Sequence, residues 1–167
     1  HFQGVHAPGI KNLSSMYAAT HHQNIVSGHM AKLIHNEVKD SNVGSAYTYF
    51  PTYPNDPSKE EDVVAASVID AVWTRNFLDP VCLGKYPEAS LPALDSYIKS
   101  DDLKIISYKT DYVGINHYSP NYIRHDKDDG LKAVMCAGPD GARNDLGWLV
   151  DAAEFEKIFV EIKQRYN

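Results

Sequence analysis

The chain has 167 residues, enough for one ordinary domain with its own core. Hydrophobic residues make up 43% and charged residues 23%, with eleven tyrosines, which excludes an acidic disordered segment. The formal net charge of -6, with no clustered Lys and Arg, excludes the phosphate-binding surface that a nucleic-acid partner requires.

The chain starts at His1 with no initiator Met, no charged stretch leading into an apolar one and no membrane span, which reads as an internal segment of a longer, cytoplasmic protein. Residues 12 to about 39 are helical in pattern, with Val26, Met30, Leu33 and Ile34 on one apolar stripe that His22 and His29 share. Residues 42–49 read as a strand entered through the Asp40-Ser41-Asn42 turn, with Gly44 at a point of close packing. The Pro-rich stretch 51–57 reads as a loop. Ser58-Lys59-Glu60-Glu61 is a capping-box pattern, opening a helix with Val64, Val68, Ala71 and Val72 on its apolar face and ending near Phe77, before Asp79-Pro80.

Residues 81–91 read as a second loop, 92–99 as a short helix and 112–118 as a buried strand. Residues 119–147, rich in Asp, Gly and Pro, read as a long loop or small hairpin rather than a core element. Asp151-Ala152-Ala153-Glu154 caps a final helix whose Phe155, Ile158, Phe159, Ile162 and Tyr166 are spaced for one buried face. Lys157, Lys163 and Arg165 suit the C-terminal end of that helix dipole. Cys82 and Cys136 stand in no metal or redox spacing and read as free thiols.

This alternation of helix and strand is the rhythm of α/β architecture with parallel strands. Two strands alone cannot bury two helical faces and close a sheet edge, so either the chain pairs with another copy or it belongs inside a larger barrel. Strand side chains alternate with period two, which puts Asn116 and Tyr118 on one face at the end of the 112–118 strand and turns His117 away. His21, His22 and His29 lack a carboxylate or Cys at ligand spacing, so they read as buried histidines bonded to backbone carbonyls rather than a metal site. Tyr17, Tyr47, Tyr49, Tyr53 and Tyr122 read individually as packing or surface residues, Trp73 as core, and Trp148 as an anchor for the last helix.

The stretch Asp111-Tyr112-Val113-Gly114-Ile115-Asn116-His117-Tyr118 resembles the Asp-(Phe/Tyr)-x-Gly-(Ile/Leu/Val)-Asn-x-Tyr signature of glycoside hydrolase family 1, the retaining β-glucosidases and β-galactosidases. Gly4-Val5-His6-Ala7-Pro8-Gly9 resembles the segment that follows that family's Asn-Glu-Pro acid/base motif. Ala19-Thr20-His21-His22 with Gly28-His29, Phe77-Leu78-Asp79-Pro80 with Gly84-Lys85-Tyr86-Pro87, and Gly147-Trp148 resemble further family segments in the same order. The resemblance covers essentially the whole chain. It implies a single segment, residues 1–167, of a (β/α)8 TIM barrel, running from about the fourth helix through the sixth with parallel strands.

The family's chemistry needs two carboxylates about 5 Å apart, one a general acid/base and one a nucleophile. Neither its Asn-Glu-Pro nor its Glu-Asn-Gly context occurs around Glu37, Glu60, Glu61, Glu88, Glu154, Glu156 or Glu161. The chain therefore reads as lying between the two catalytic strands, carrying no catalytic residue and inactive by itself. The resemblance makes Asn116 and Tyr118 the residues that line the sugar subsite and position the nucleophile. It places Thr48 on the aglycone side, where many members carry Asn. It implies a β-glycoside or oligosaccharide substrate in the complete enzyme, with no cofactor, no metal and no membrane or nucleic-acid partner. The missing barrel segments, or self-association, would cover the strand edges. The competing reading is a stand-alone, non-catalytic half-barrel that binds carbohydrate or serves as an oligomeric structural protein.

Overall fold

The computed structural model describes residues 4–166. His1–Gln3 and Asn167, where two of the expectations about the chain's ends fall, lie outside them. The described chain divides into two compact units, one of residues up to 46 with 75–114, the other of 47–74 with 115–166. The division falls within two strands, β1 (Gly44–Thr48) and β3 (Tyr112–Asn116), which pair with each other. They run parallel: Asp111 N–H donates to the Val43 carbonyl at one end (2.8 Å) and Tyr49 N–H to the Asn116 carbonyl at the other (2.9 Å). Gly44 is the close-packing residue its position implied, since a Cβ there would lie 2.3 Å from the Tyr112 carbonyl oxygen.

The first unit is built on α1 (Leu13–Glu37), opened by Asn12, whose side chain accepts from Ser15 N–H. Its buried face is Met16, Tyr17, Thr20, His21, Asn24, Gly28 and Ala31. Val26, Met30 and Leu33 are exposed, so the expected apolar stripe faces away from the unit's core. The reason is that polar groups on the buried face find partners inside. His21, wholly buried, places Nε2 3.0 Å from an Asp102 carboxylate oxygen and Nδ1 2.9 Å from the Tyr86 hydroxyl. Asn24 Nδ2 donates to the Tyr86 hydroxyl (3.1 Å) and to the Asn76 carbonyl (2.8 Å). Buried polar atoms bonded in this way cost little, and an apolar-stripe argument is blind to them. His22 and His29 are exposed, and the partners of His21 are side chains rather than backbone carbonyls.

The helix expected to stop near Phe77 continues. After α2 (Glu60–Asp70) comes a π-helical turn, Ala71–Arg75, and then α3 (Asn76–Leu83), which contains Pro80 and ends at left-handed Gly84 (φ 67°). Pro80 offers no N–H to the Asn76 carbonyl four residues back. Asn24 supplies the donor instead, so the helix tolerates its proline. Two short helices, α4 (Leu91–Leu94) and α5 (Asp102–Ile106), complete the unit, the second unforeseen in the sequence. Leu78, Leu94 and Ile106 are fully buried there.

The second unit holds a three-stranded sheet: β2 (Thr52–Pro54) pairs in parallel with β4 (Asn121–His125), and β4 antiparallel with β5 (Ala133–Cys136). The Pro-rich stretch is thus partly strand rather than loop. The hairpin of β4 and β5 belongs to the core, because Ile123 and Ala133 pack with Ala65, Ala66 and Ile69 of α2, with Trp73 and Leu131 against them. Val64 is exposed and Val68 half-buried, so the inward face of α2 is one position off there, while Ala71 and Val72 are buried as expected. Ser58 does not cap: its hydroxyl donates to Asp56, and Lys59 stands at the cap position. Buried Asp62 instead accepts from Asp56 N–H and His125 N–H, joining the start of α2 to β4. The last helix, α6 (Ala152–Tyr166), is capped as expected by Asp151, which accepts from Ala153 and Glu154 N–H. Its buried residues are Glu154 and Ile158, while Phe155 and Phe159 are about half exposed.

Candidate functional site

Thr48 and Asn116 close β1 and β3, and both are exposed. Tyr118 follows two residues on, 51% exposed. Among the described residues none of these three side chains makes a hydrogen bond, so an amide, an aliphatic hydroxyl and a phenol are left with their polar capacity unspent. The strand ends at Asn116, so His117 and Tyr118 lie beyond it, and His117 is half-buried. Its Nδ1 donates to the Tyr49 carbonyl (3.1 Å), and its ring stacks on Phe155 at 6.1 Å. That pair fixes the backbone of the residue between Asn116 and Tyr118.

Aromatic rings shape the surroundings of Tyr118. Its centroid lies 5.2 Å from that of Trp148 and 6.2 Å from that of Phe50, and Phe50 lies 6.0 Å from Trp73. Trp148, read from the sequence as a helix anchor, therefore walls the candidate site, a link to Tyr118 that Gly147-Trp148 does not reveal in sequence. A cleft of about 320 Å³ beside this wall is lined by Phe50, Trp73 and Trp148, with Asn121 and Arg143 among its polar members. Aromatic faces set among a few polar groups suit a ligand that is apolar on one side and hydroxylated on the other.

A second depression of about 550 Å³ holds Tyr53, Tyr122, Glu154 and Lys157. The Tyr53 hydroxyl donates to buried Glu154 (2.5 Å), and Lys157 pairs with the same carboxylate. Burial, followed by the bond to Glu154, pushes the Tyr53 phenol well above its ordinary range; the same carboxylate raises the Lys157 ammonium. Tyr53 and Tyr122 face each other at 5.6 Å, while Tyr17 and Tyr49 are buried, the latter with its phenol raised by burial and by Glu161. Among the described residues no three His, Cys, Asp or Glu converge to hold a metal ion, and Cys82 and Cys136 are free.

Parallel strands with helices between them, and polar side chains at the strand ends, define a barrel segment. The sequence model of glycosyl hydrolase family 1 matches residues 1–167, and the chain belongs to that family. It is 32% identical over 157 residues to beta-glucosidase A of Acetivibrio thermocellus, covering 90% of this chain and 35% of that protein. A beta-glucosidase from Agrobacterium sp. is 31% identical over 173 residues, covering 100% of this chain and 38% of its own length. The solved virulence factor SghA from Agrobacterium tumefaciens superposes with a TM-score of 0.90 at 28% identity, over 100% of this chain and 38% of that one. SghA has also been solved with its substrate analog salicin. The fold is a partial (β/α)8 barrel, and the chain spans between 35% and 38% of the length of these relatives.

Proposed function

We propose that this chain is the central part of a β-glucosidase-type hydrolase that cleaves β-O-glycosidic bonds with retention of configuration. Asn116 and Tyr118 line the sugar subsite, and Thr48 lies toward the aglycone. The observation that carries the reading is the pair of unbonded polar side chains, Asn116 and Tyr118, exposed at the end of β3 in a family 1 chain.

In a retaining mechanism one carboxylate attacks the anomeric carbon while the other protonates the leaving oxygen, and water then releases the covalent intermediate. Tyr118 contributes by donating its phenolic O–H to the nucleophile carboxylate, which favours the charged form and fixes its rotamer. Asn116 hydrogen-bonds a sugar hydroxyl. Both carboxylates come from outside this chain, which by itself turns over no substrate. Free Cys82 and Cys136 fit a reducing, cytoplasmic setting.

The test is Tyr118→Phe in the full-length protein that carries this sequence. Loss of one hydrogen bond to a charged group is worth roughly 1.5–3 kcal/mol, so kcat/KM on an aryl β-glucoside falls by about 10- to 100-fold. The fold is unaffected, because the hydroxyl has no partner among the described residues. An unchanged kcat/KM would remove Tyr118 from the site.

A further inference from the structure

The segment that delivers Trp148 is irregular, yet it is tied at one point. Arg143 Nη1 donates to the Gly147 carbonyl (3.0 Å), and Nη2 donates to the carbonyls of Ala137 (2.6 Å) and Pro139 (2.9 Å). Three carbonyl oxygens therefore converge on one guanidinium, whose planar, rigid fork holds its donors in fixed directions as a rotating ammonium does not. Asn144 adds a second tie: its Oδ1 accepts from Leu146 and Trp148 N–H (both 3.0 Å), and its N–H donates to the Trp148 carbonyl (3.0 Å). Arg143 and Leu149 pair as an isolated antiparallel bridge. The Trp148 peptide is thus held on both sides, with the carbonyl immediately before it anchored by Arg143.

We propose that Arg143 is a positioning residue of the sugar site: it gathers the 137–149 segment so that Trp148 is seated against Tyr118. This rests on the β-glucosidase reading for what the site binds, although the clamp can be read without activity. All three of these Arg143 bonds go to backbone carbonyls, so it acts through the backbone it gathers. Without it the three carbonyls lose a shared donor and the segment opens, so the Trp148 ring leaves Tyr118 and the ligand wall loosens. Because the wall contacts ligand equally in ground and transition states, the effect falls on KM rather than kcat.

The chain has two tryptophans, so Trp73→Phe leaves Trp148 as its only tryptophan reporter. In that background Arg143→Ala shifts Trp148 emission to the red and raises its quenching by acrylamide, with far-UV circular dichroism unchanged. Arg143→Lys, lacking the fork, gives a smaller change in the same direction, and it carries the test should the alanine variant lose its helical signal. In the full-length protein R143A raises KM for an aryl β-glucoside about tenfold, equivalent to about 1.4 kcal/mol, and changes kcat less than about twofold. Unaltered emission and quenching in both variants would overturn the clamp. Turnover by the wild type with an unchanged KM in R143A would overturn its place in the sugar site alone. A full-length wild type without turnover would overturn the sugar site and Arg143's role in it together.

Discussion

Tyr86, His21 and Asp102 show how single residues in this chain acquire meaning only through partners far away in sequence. The Tyr86 phenol is pushed up to about 12, chiefly by burial, so it remains a donor; with Asn24 donating to its oxygen, its own proton is available to His21 Nδ1. Asp102 is lowered below its ordinary value: burial opposes this, but the Lys99 N–H and the His21 ring more than offset it. A carboxylate depressed in the folded state contributes stability that is fully present above its unfolded value, near 3.8, and is lost as pH falls through the lower folded value. The melting temperature of the wild-type chain therefore drops below about pH 4 in part because of Asp102. Asp102→Asn is less stable at pH 7 and has a shallower decline on acidification, measured by thermal melts from pH 7 to 2. Parallel curves would remove Asp102 from the acid response. None of this network was legible in the sequence: the family-like His21 and Gly84-Lys85-Tyr86-Pro87 could be recognised, but not that His21 and Tyr86 bond to each other.

At the scale of elements, the starts of the first and last helices were readable, the cap of α2 was not, and helix faces were readable only in part. The last helix begins where Asp151 implied, whereas the strand expected over 112–118 ends at Asn116, two residues before Tyr118. Apolar periodicity found Ala71, Val72 and Ile158, which are buried, but missed much of the inward faces of α1, α2 and α6 because it assumes that buried means apolar, whereas His21, Asn24, Asp62 and Glu154 are buried here with bonded partners. The passage through Asp79-Pro80 was missed for a related reason, since the compensating donor, Asn24, lies 52 positions from the carbonyl that proline leaves unpaired. Gly28 gives an element-level test. Alanine is favoured over glycine in a helix by about 1 kcal/mol, yet a Cβ at Gly28 would lie 2.1 Å from the Ile105 carbonyl oxygen, which is backbone and cannot swing aside. Forcing α1 and α5 apart costs about 1–3 kcal/mol, so after the helix gain Gly28→Ala is net destabilising by up to about 2 kcal/mol. Urea unfolding of the variant reads this directly; a gain in stability would show that α1 and α5 are free to separate.

For the whole molecule, the motif order carried the assignment: segments from Gly4 to Trp148 gave the family and the barrel, and the family match over the full 167 residues agrees. What the sequence could not supply was the surround of the site, because Trp148, Phe50 and Arg143 come from segments whose proximity to Tyr118 or Trp148 is set by tertiary folding. The central claim is that this chain belongs to a retaining β-glucosidase whose catalytic carboxylates lie elsewhere in the polypeptide. The direct measurement is proton NMR of the first sugar released from an aryl β-glucoside by the full-length protein, with the 167-residue chain run alongside. β-Glucose is expected as the first anomer from the full-length protein, with no product from the chain alone; α-glucose first, no turnover by the full-length protein, or turnover by the chain alone would refute the retaining β-glucosidase assignment.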